Sequence, residues 1–257
     1  MQKNQIEFKD VFDYLLGLEN ESVDLIVADP PYNQSIDDWD TFSSEKDYFD
    51  FTFKWIDMAI DKLKKTGSLY LFNNPYNSAF ILSYLVSKGL AFKNWIVWYK
   101  KDGFSPSKNK FVNNQEIILF FTKSNDYKFN ADAVRTPYLS TDRIKAATEK
   151  GILKNGKRWF PNENGKLCPD VWEFSSQRHN TKVNGKTTKS LHPTPKPEAL
   201  IERIIKASSN EGDLVLDLFS GSGTTAYIAK KFNRQFIGCE NNEQFYKHII
   251  ARLQGEN

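Results

Sequence analysis

The stretch Asp213-Leu214-Val215-Leu216-Asp217-Leu218-Phe219-Ser220-Gly221-Ser222-Gly223-Thr224-Thr225-Ala226 holds an apolar run, a glycine turn and the start of an apolar-periodic segment that reaches Phe232. It reads as strand, turn and helix, the form in which backbone N–H groups come close to a nucleotide-like ligand. A second short strand follows at 235–239 and leads to Glu240, where a strand-tip acid can accept both hydroxyls of a ribose. The spacing of Gly221, Gly223 and Ala226 fits a dinucleotide site equally well, and such turns also occur without any ligand.

Far upstream, Val23-Asp24-Leu25-Ile26-Val27-Ala28 reads as a buried strand and runs into Asp29-Pro30-Pro31-Tyr32. Ligands of open α/β sheets collect beyond the carboxyl ends of strands, so this tetrapeptide lies where chemistry is expected. Its two prolines fix φ and remove two N–H donors, leaving the Asp29 carboxylate and nearby carbonyls as acceptors. Those acceptors suit an exocyclic amino group, a donor of two N–H bonds, whose ring stacks on Tyr32. A plain loop with Asp29 as a helix cap is the alternative these four residues leave open.

The rest of the chain alternates. Strands are expected at 6–8, 68–73, 92–99 and 115–122, and helices at 11–18, 47–64, 77–87 and 197–208. Phe49, Phe53, Ile56, Ile60 and Leu63 keep helical spacing, with Gly67 expected to close that helix and Gly89 the next. Such alternation predicts an α/β fold, a doubly wound, mostly parallel sheet. From 127 to 190 the periodicity fades, and Asn155-Gly156, Asn164-Gly165 and Asn184-Gly185 supply turn signals.

The net charge of +3 hides an asymmetry: residues 101–190 hold 17 Lys and Arg against 9 Asp and Glu, a balance of +8, and the rest balances at −5. A basic segment interleaved with Arg158, Trp159, Phe160, Trp172, Arg178 and Lys182 suits a phosphate backbone and exposed bases. A solvated lysine-rich surface is the plain alternative. The two cysteines, Cys168 and Cys239, give neither a disulfide framework nor a metal-ligand spacing, so no metal is expected. Apolar runs of strand length and a polar amino end predict a soluble, cytoplasmic protein with no membrane partner.

Taken together, the motifs resemble those of the S-adenosylmethionine-dependent amino-methyltransferases of DNA. Their signatures are a DPPY-type tetrapeptide, here Asp29 to Tyr32, and an FxGxGTT-type turn, here Phe219 to Thr225. The catalytic motif precedes the cofactor turn, the order of the β group, and the likeness is greatest to MboII-type adenine methyltransferases. Asn33, Trp39-Asp40, Asp170-Val171-Trp172 and His192-Pro193-Thr194-Pro195-Lys196-Pro197 extend it over essentially the whole chain; Pro195 departs from the usual Gln.

The resemblance implies the methyltransferase fold with circularly permuted motif order. Residues 1–126 would be the catalytic part, 127–190 an inserted target-recognition region and 191–257 the cofactor-binding part. Asp29, Pro30, Pro31 and Tyr32 would carry catalysis. S-adenosylmethionine would meet Asp10, Asp29, Thr194, Lys196, Phe219, Ser220, Gly221, Gly223, Thr224 and Glu240, with Lys196 and Thr194 holding its methionine carboxylate. Double-stranded DNA is the implied partner, with a homodimer and a cognate restriction endonuclease in the same picture. Cytosine-N4 methylation, an RNA or protein methyltransferase, an NAD-dependent oxidoreductase and a non-catalytic DNA-binding module remain the alternatives.

Overall fold

In chain order the computed structural model has β1 (Gln5–Phe8), α1 (Val11–Leu16), β2 (Val23–Ala28), α2 (Glu45–Lys62), β3 (Leu63–Asn73), α3 (Pro75–Ser87), β4 (Ala91–Tyr99) and β5 (Gln115–Thr122). Then come α4 (Thr141–Lys150), β6 (Ile152–Lys154), β7 (Lys157–Trp159), β8 (Val171–Glu173), β9 (Asn180–Val183), β10 (Lys186–Lys189), α5 (Glu198–Ser208), β11 (Leu214–Asp217), α6 (Thr224–Lys231), β12 (Gln235–Glu240) and α7 (Glu243–Gln254). The structure describes residues 2–102, 108–176, 180–183, 186–189 and 193–255.

Eight strands form one sheet in the order β1-β12-β11-β2-β3-β5-β4-β8. Only β5 runs against the others. The late strands β11 and β12 thus lie between the early strands β1 and β2, which is the permuted connectivity expected from the motif order.

Side chains of a strand alternate between faces, and both faces of this sheet are apolar. Val23, Ile26, Ala28, Leu69, Leu71, Leu214 and Leu216 meet α1, α2 and α3 on one side. Leu25, Val27, Tyr70, Phe72 and Val215 meet α5, α6 and α7 on the other. Helix starts follow local chemistry: Ser44 caps α2 by accepting from the Asp47 amide, and Asn74, followed by Pro75, caps α3 through the Asn77 amide.

Three expectations change. Gly67 lies inside β3 rather than at the end of a helix: α2 stops at Lys62, and 63–67 continue as strand beside a register shift between Val23 and Leu25. The turn-rich region contains a helix, α4, that periodicity did not signal because, among its described side chains, only Ala147 is buried. Parts of 127–190, expected as a separate inserted region, also join the sheet. Lys128 donates to both Asp213 carboxylate oxygens at 2.6 Å and to Asp24 at 3.1 Å, and β8 extends the sheet edge beside β4, so these parts belong to the main body. A two-way backbone bridge between Thr136 and Lys166, both bonds 2.9 Å, closes the neck around α4 and the β6–β7 hairpin.

Candidate active site

β2 and β11 are parallel neighbours, with Leu216 opposite Ile26, so the Asp-Pro-Pro-Tyr loop and the glycine turn leave the sheet side by side at the same end. They share one cleft of about 320 Å³ that also takes in Asp10, Thr194 and Lys196. Segments almost two hundred residues apart in sequence are brought to one site by a single strand pairing.

The Asp-Pro-Pro-Tyr loop is held from both sides. The buried Asp40 carboxylate accepts from the backbone amides of Tyr32 at 2.5 Å, Asn33 at 2.9 Å, Gln34 at 2.9 Å and Ile36 at 3.4 Å. From the opposite side, Asn77 Nδ2 donates to the Tyr32 carbonyl at 2.8 Å. Asn33 sits at φ +57°, a conformation asparagine tolerates better than most residues, and its side-chain oxygen accepts from the Phe42 amide. This gives Asp40 and Asn33, matched in sequence only by resemblance, a physical role.

The acceptors of Asp29 are already engaged, which the sequence did not reveal. Tyr32 Oη donates to Asp29 Oδ1 at 2.7 Å and Lys196 Nζ donates to Asp29 Oδ2 at 2.5 Å. Glu116, at the start of β5, joins them: its Oε2 accepts from Tyr32 Oη at 3.1 Å and lies 3.5 Å from Lys196 Nζ, while its Oε1 pairs with Lys100. Burial pushes the Asp29 carboxyl up, with Lys196 working against that rise and Glu116 adding to it. Burial would raise Glu116 as well, but Lys196 and Lys100 outweigh it and hold this acid below its ordinary range. Lys196 is itself raised, since Asp29 and Glu116 overcome its own burial. In the ligand-free cleft its ammonium thus faces two carboxylates, and it remains part of the cleft lining.

On the other side of the cleft, Glu240 Oε2 accepts from the Gly221 amide at 2.7 Å and Oε1 from the Asn242 amide at 2.8 Å. Each oxygen keeps a lone pair for a further donor. Phe219 packs edge-on against Trp55 at 5.2 Å, and Ser220 Oγ donates to the Asp217 carbonyl at 3.3 Å. Thr224 Oγ1 accepts from Arg252 at 3.2 Å and pairs with Ser222 Oγ. Gly223 lies outside the cleft lining; at φ +72° it starts α6, and an added Cβ would come 3.1 Å from Ile249. Asp10 caps α1 through the Phe12 amide at 2.8 Å while also lining the cleft. Asp217, at the end of β11, was missed. Burial pushes its carboxyl up to about 7, with a hydrogen bond from Thr225 and the Phe219 amide opposing, and Asp29 and Glu240 adding to the rise.

Of the residues expected at DNA, Arg158 and Trp159 lie on the β6–β7 hairpin, with Trp159 60% exposed and Phe160 61% exposed. Trp172 is buried instead: its Nε1 donates to the Pro169 carbonyl at 2.7 Å, and the Arg203 guanidinium lies 5.0 Å over its ring. Arg178 and His192 fall outside the described residues, and Lys182 is placed only as part of strand β9. Among the described residues, no group of three or more His, Cys, Asp or Glu side chains could hold a metal ion. Among the same residues, no helix is long and apolar enough to cross a membrane.

Fold and cleft define the class: an α/β protein whose mostly parallel sheet sets an Asp-Pro-Pro-Tyr loop beside a glycine turn in one cleft. Residues 23–252 match the DNA methylase family of N6 and N4 methyltransferases, and the chain belongs to that family. It is 61% identical over 245 residues to the Type II methyltransferase M1.MboII of Moraxella bovis, covering 95% of this chain and 94% of that one. It is 35% identical over 250 residues to the DNA adenine methyltransferase YhdJ of Escherichia coli (strain K12), covering 95% and 80%. Among solved structures, M1.HpyAVI in complex with SAM shares the fold at TM-score 0.62 and 24% identity, over 96% of this chain and 98% of that chain. The cytosine-N4-specific PvuII DNA methyltransferase shares it at 0.72 and 19% identity, over 98% and 86%.

Proposed function

We propose that this protein transfers a methyl group from S-adenosylmethionine to the exocyclic amine of adenine within a short duplex DNA site, as the modification enzyme of a restriction-modification system. The observation that carries this reading is the shared cleft, in which Asp29 and the glycine turn leave adjacent parallel strands.

The residues present fit the cofactor. Asp29, Asp217 and Glu240 give the cleft an acidic lining suited to a positively charged nucleoside. Glu240, fixed by two amides, would take the ribose hydroxyls; Phe219, Ser220, Gly221 and Thr224 would line the path; Asp10 would face the adenine ring; Thr194 would meet the methionine carboxylate. When bound, S-adenosylmethionine supplies the electrophilic methyl group.

The target amine is stacked inside duplex DNA, so its base must swing out, at about a few kcal/mol for unstacking and unpairing. Stacking on Tyr32, worth roughly 1–3 kcal/mol, would offset part of that. Asp29 and the Pro30 carbonyl would then accept from the amine, favouring rehybridisation of a nitrogen whose lone pair is delocalised into the ring. The Asp29 charge stabilises the positive charge developing on nitrogen. The cytoplasm, a homodimer and a cognate endonuclease acting on the same sequence belong to this reading.

Sequencing with modified-base detection on DNA treated with the purified protein tests it. N6-methyladenine in one recurrent context is the expected result, lost in Asp29→Ala. N4-methylcytosine, or no methylated base at all, would overturn the adenine assignment.

A further inference from the structure

Asp29 and Glu116 share two donors. Lys196 Nζ lies 2.5 Å from Asp29 Oδ2 and 3.5 Å from Glu116 Oε2, and the Tyr32 hydroxyl reaches both acids at 2.7 and 3.1 Å. A displacement of about 1 Å, of the size thermal motion supplies, would bring the lysine as close to Glu116 as it now is to Asp29. Lys100, paired with the other oxygen of Glu116, keeps that acid from following. Two carboxylates and two ammonium groups remain, whichever acid holds Lys196, so the exchange separates no net charge.

The position of Lys196 matters for chemistry. An ammonium on Asp29 cancels the negative charge that stabilises a methylating amine. The acid best able to hold the lysine elsewhere is Glu116, 12% exposed and held ionised by Lys196 and Lys100. Nothing in the sequence motifs assigns Glu116 a role.

We propose that Glu116 is a positioning residue that draws the Lys196 ammonium away from Asp29 when the target amine arrives, so that Asp29 meets the amine with its charge free. This rests on the methyltransferase reading of the cleft.

The test is single-turnover methyl transfer to duplex DNA by wild type, Glu116→Gln, Lys196→Met and the double variant, with cofactor and duplex affinities measured alongside. Glu116→Gln is expected to bind both within about threefold of wild type yet transfer methyl at least about tenfold more slowly. Adding Lys196→Met should then speed the Glu116→Gln enzyme, because the lysine that locks Asp29 is gone. A purely structural role predicts that the two losses multiply. Multiplying losses, or a Glu116→Gln rate equal to wild type, would overturn the proposal. If Glu116→Gln does not bind cofactor, Glu116→Asp takes its place in the same measurements: it keeps the charge but withdraws it from Lys196, so slower transfer that Lys196→Met relieves supports the proposal, and multiplying losses or an unchanged rate overturn it. A wild-type protein that transfers no methyl group overturns the function itself, whereas an active wild type with multiplying losses overturns only the role of Glu116.

Discussion

The Gly221 amide donates to Glu240 Oε2 at 2.7 Å, which ties the glycine turn after β11 to the acid at the tip of β12. Turn and acid are thus one unit, and neighbouring backbone packs tightly behind them. An added Cβ at Gly238 would lie 2.2 Å from the Asp217 carbonyl, so only glycine fits there.

Glu240→Gln keeps an oxygen for one amide but presents an NH2 group to the other donor and to one ribose hydroxyl. Charge-assisted hydrogen bonds contribute about 1.5–3 kcal/mol, so S-adenosylmethionine affinity should fall roughly 10- to 100-fold. Titration calorimetry reads the change. Turnover at saturating cofactor should stay within about threefold of wild type, since the ribose contact is made equally before and during transfer. A large loss of turnover with unchanged affinity would remove Glu240 from the cofactor site.

Asp217 makes the site pH-dependent in two opposite ways. Its carboxyl is raised to about 7 by burial, so the ligand-free folded protein holds a proton that the unfolded chain has already released. That contribution favours folding at low pH and is lost as pH rises through about 7. Thermal unfolding of the ligand-free protein should therefore show a smaller loss of Tm between about pH 5 and 8 in Asp217→Asn than in wild type. A cationic cofactor prefers the ionised acid, so wild-type affinity for S-adenosylmethionine should rise over the same range, with protons released on binding. Calorimetry in buffers of different ionisation enthalpy counts them. An affinity independent of pH would place the cofactor's charge away from Asp217.

What could be read from the chain follows from which interactions are local. The strand 23–28, the glycine turn and Glu240 announce themselves because apolar runs and turn residues are sequence patterns. Permuted connectivity followed from motif order. Glu116 and Asp217 were passed over, although each is an acid in an apolar strand, a detectable signal; what brings them to the cleft is their long-range surroundings. Glu116 acquires Lys100, Tyr32 and Lys196 only when β5 lies beside β3 and β4. Lys196 was placed at the cleft, but its pairing with Asp29 could not be read, because that partner lies 167 positions away. Trp172 was counted with the aromatics of the basic segment because neither its β8 pairing nor the Arg203 guanidinium over its ring is visible in a turn-rich stretch.

The β6–β7 hairpin turns on Asn155 and Gly156, both at positive φ, and presents Trp159 outward. Arg158 folds back onto the Lys150 carbonyl and braces the hairpin against α4. Trp159→Ala should leave the fold and cofactor affinity unchanged, while duplex affinity falls roughly 10- to 100-fold, the equivalent of about 1–3 kcal/mol per stacked base. Fluorescence anisotropy with a labelled duplex measures it. Unchanged duplex affinity would move the DNA interface off this hairpin.

Asp40 should be as necessary to methylation as the motif it holds. Its buried carboxylate receives four backbone amides from the loop that carries Tyr32, and its charge is met by those dipoles. Asp40→Asn retains the shape but replaces one acceptor oxygen with a donor facing N–H groups, leaving at least two of them unmatched. The loss is roughly 3 kcal/mol or more, about 5–10 °C in Tm for a chain of this size. Because the loop leaves β2 and the cofactor turn leaves β11, S-adenosylmethionine affinity should change less than about threefold, while methyl transfer falls more than about 100-fold as Tyr32 and Asp29 lose their geometry. Measuring both in one preparation separates loop from fold. If the Asn variant transfers methyl at the wild-type rate, the amides have found other partners and Asp40 does not position the catalytic loop.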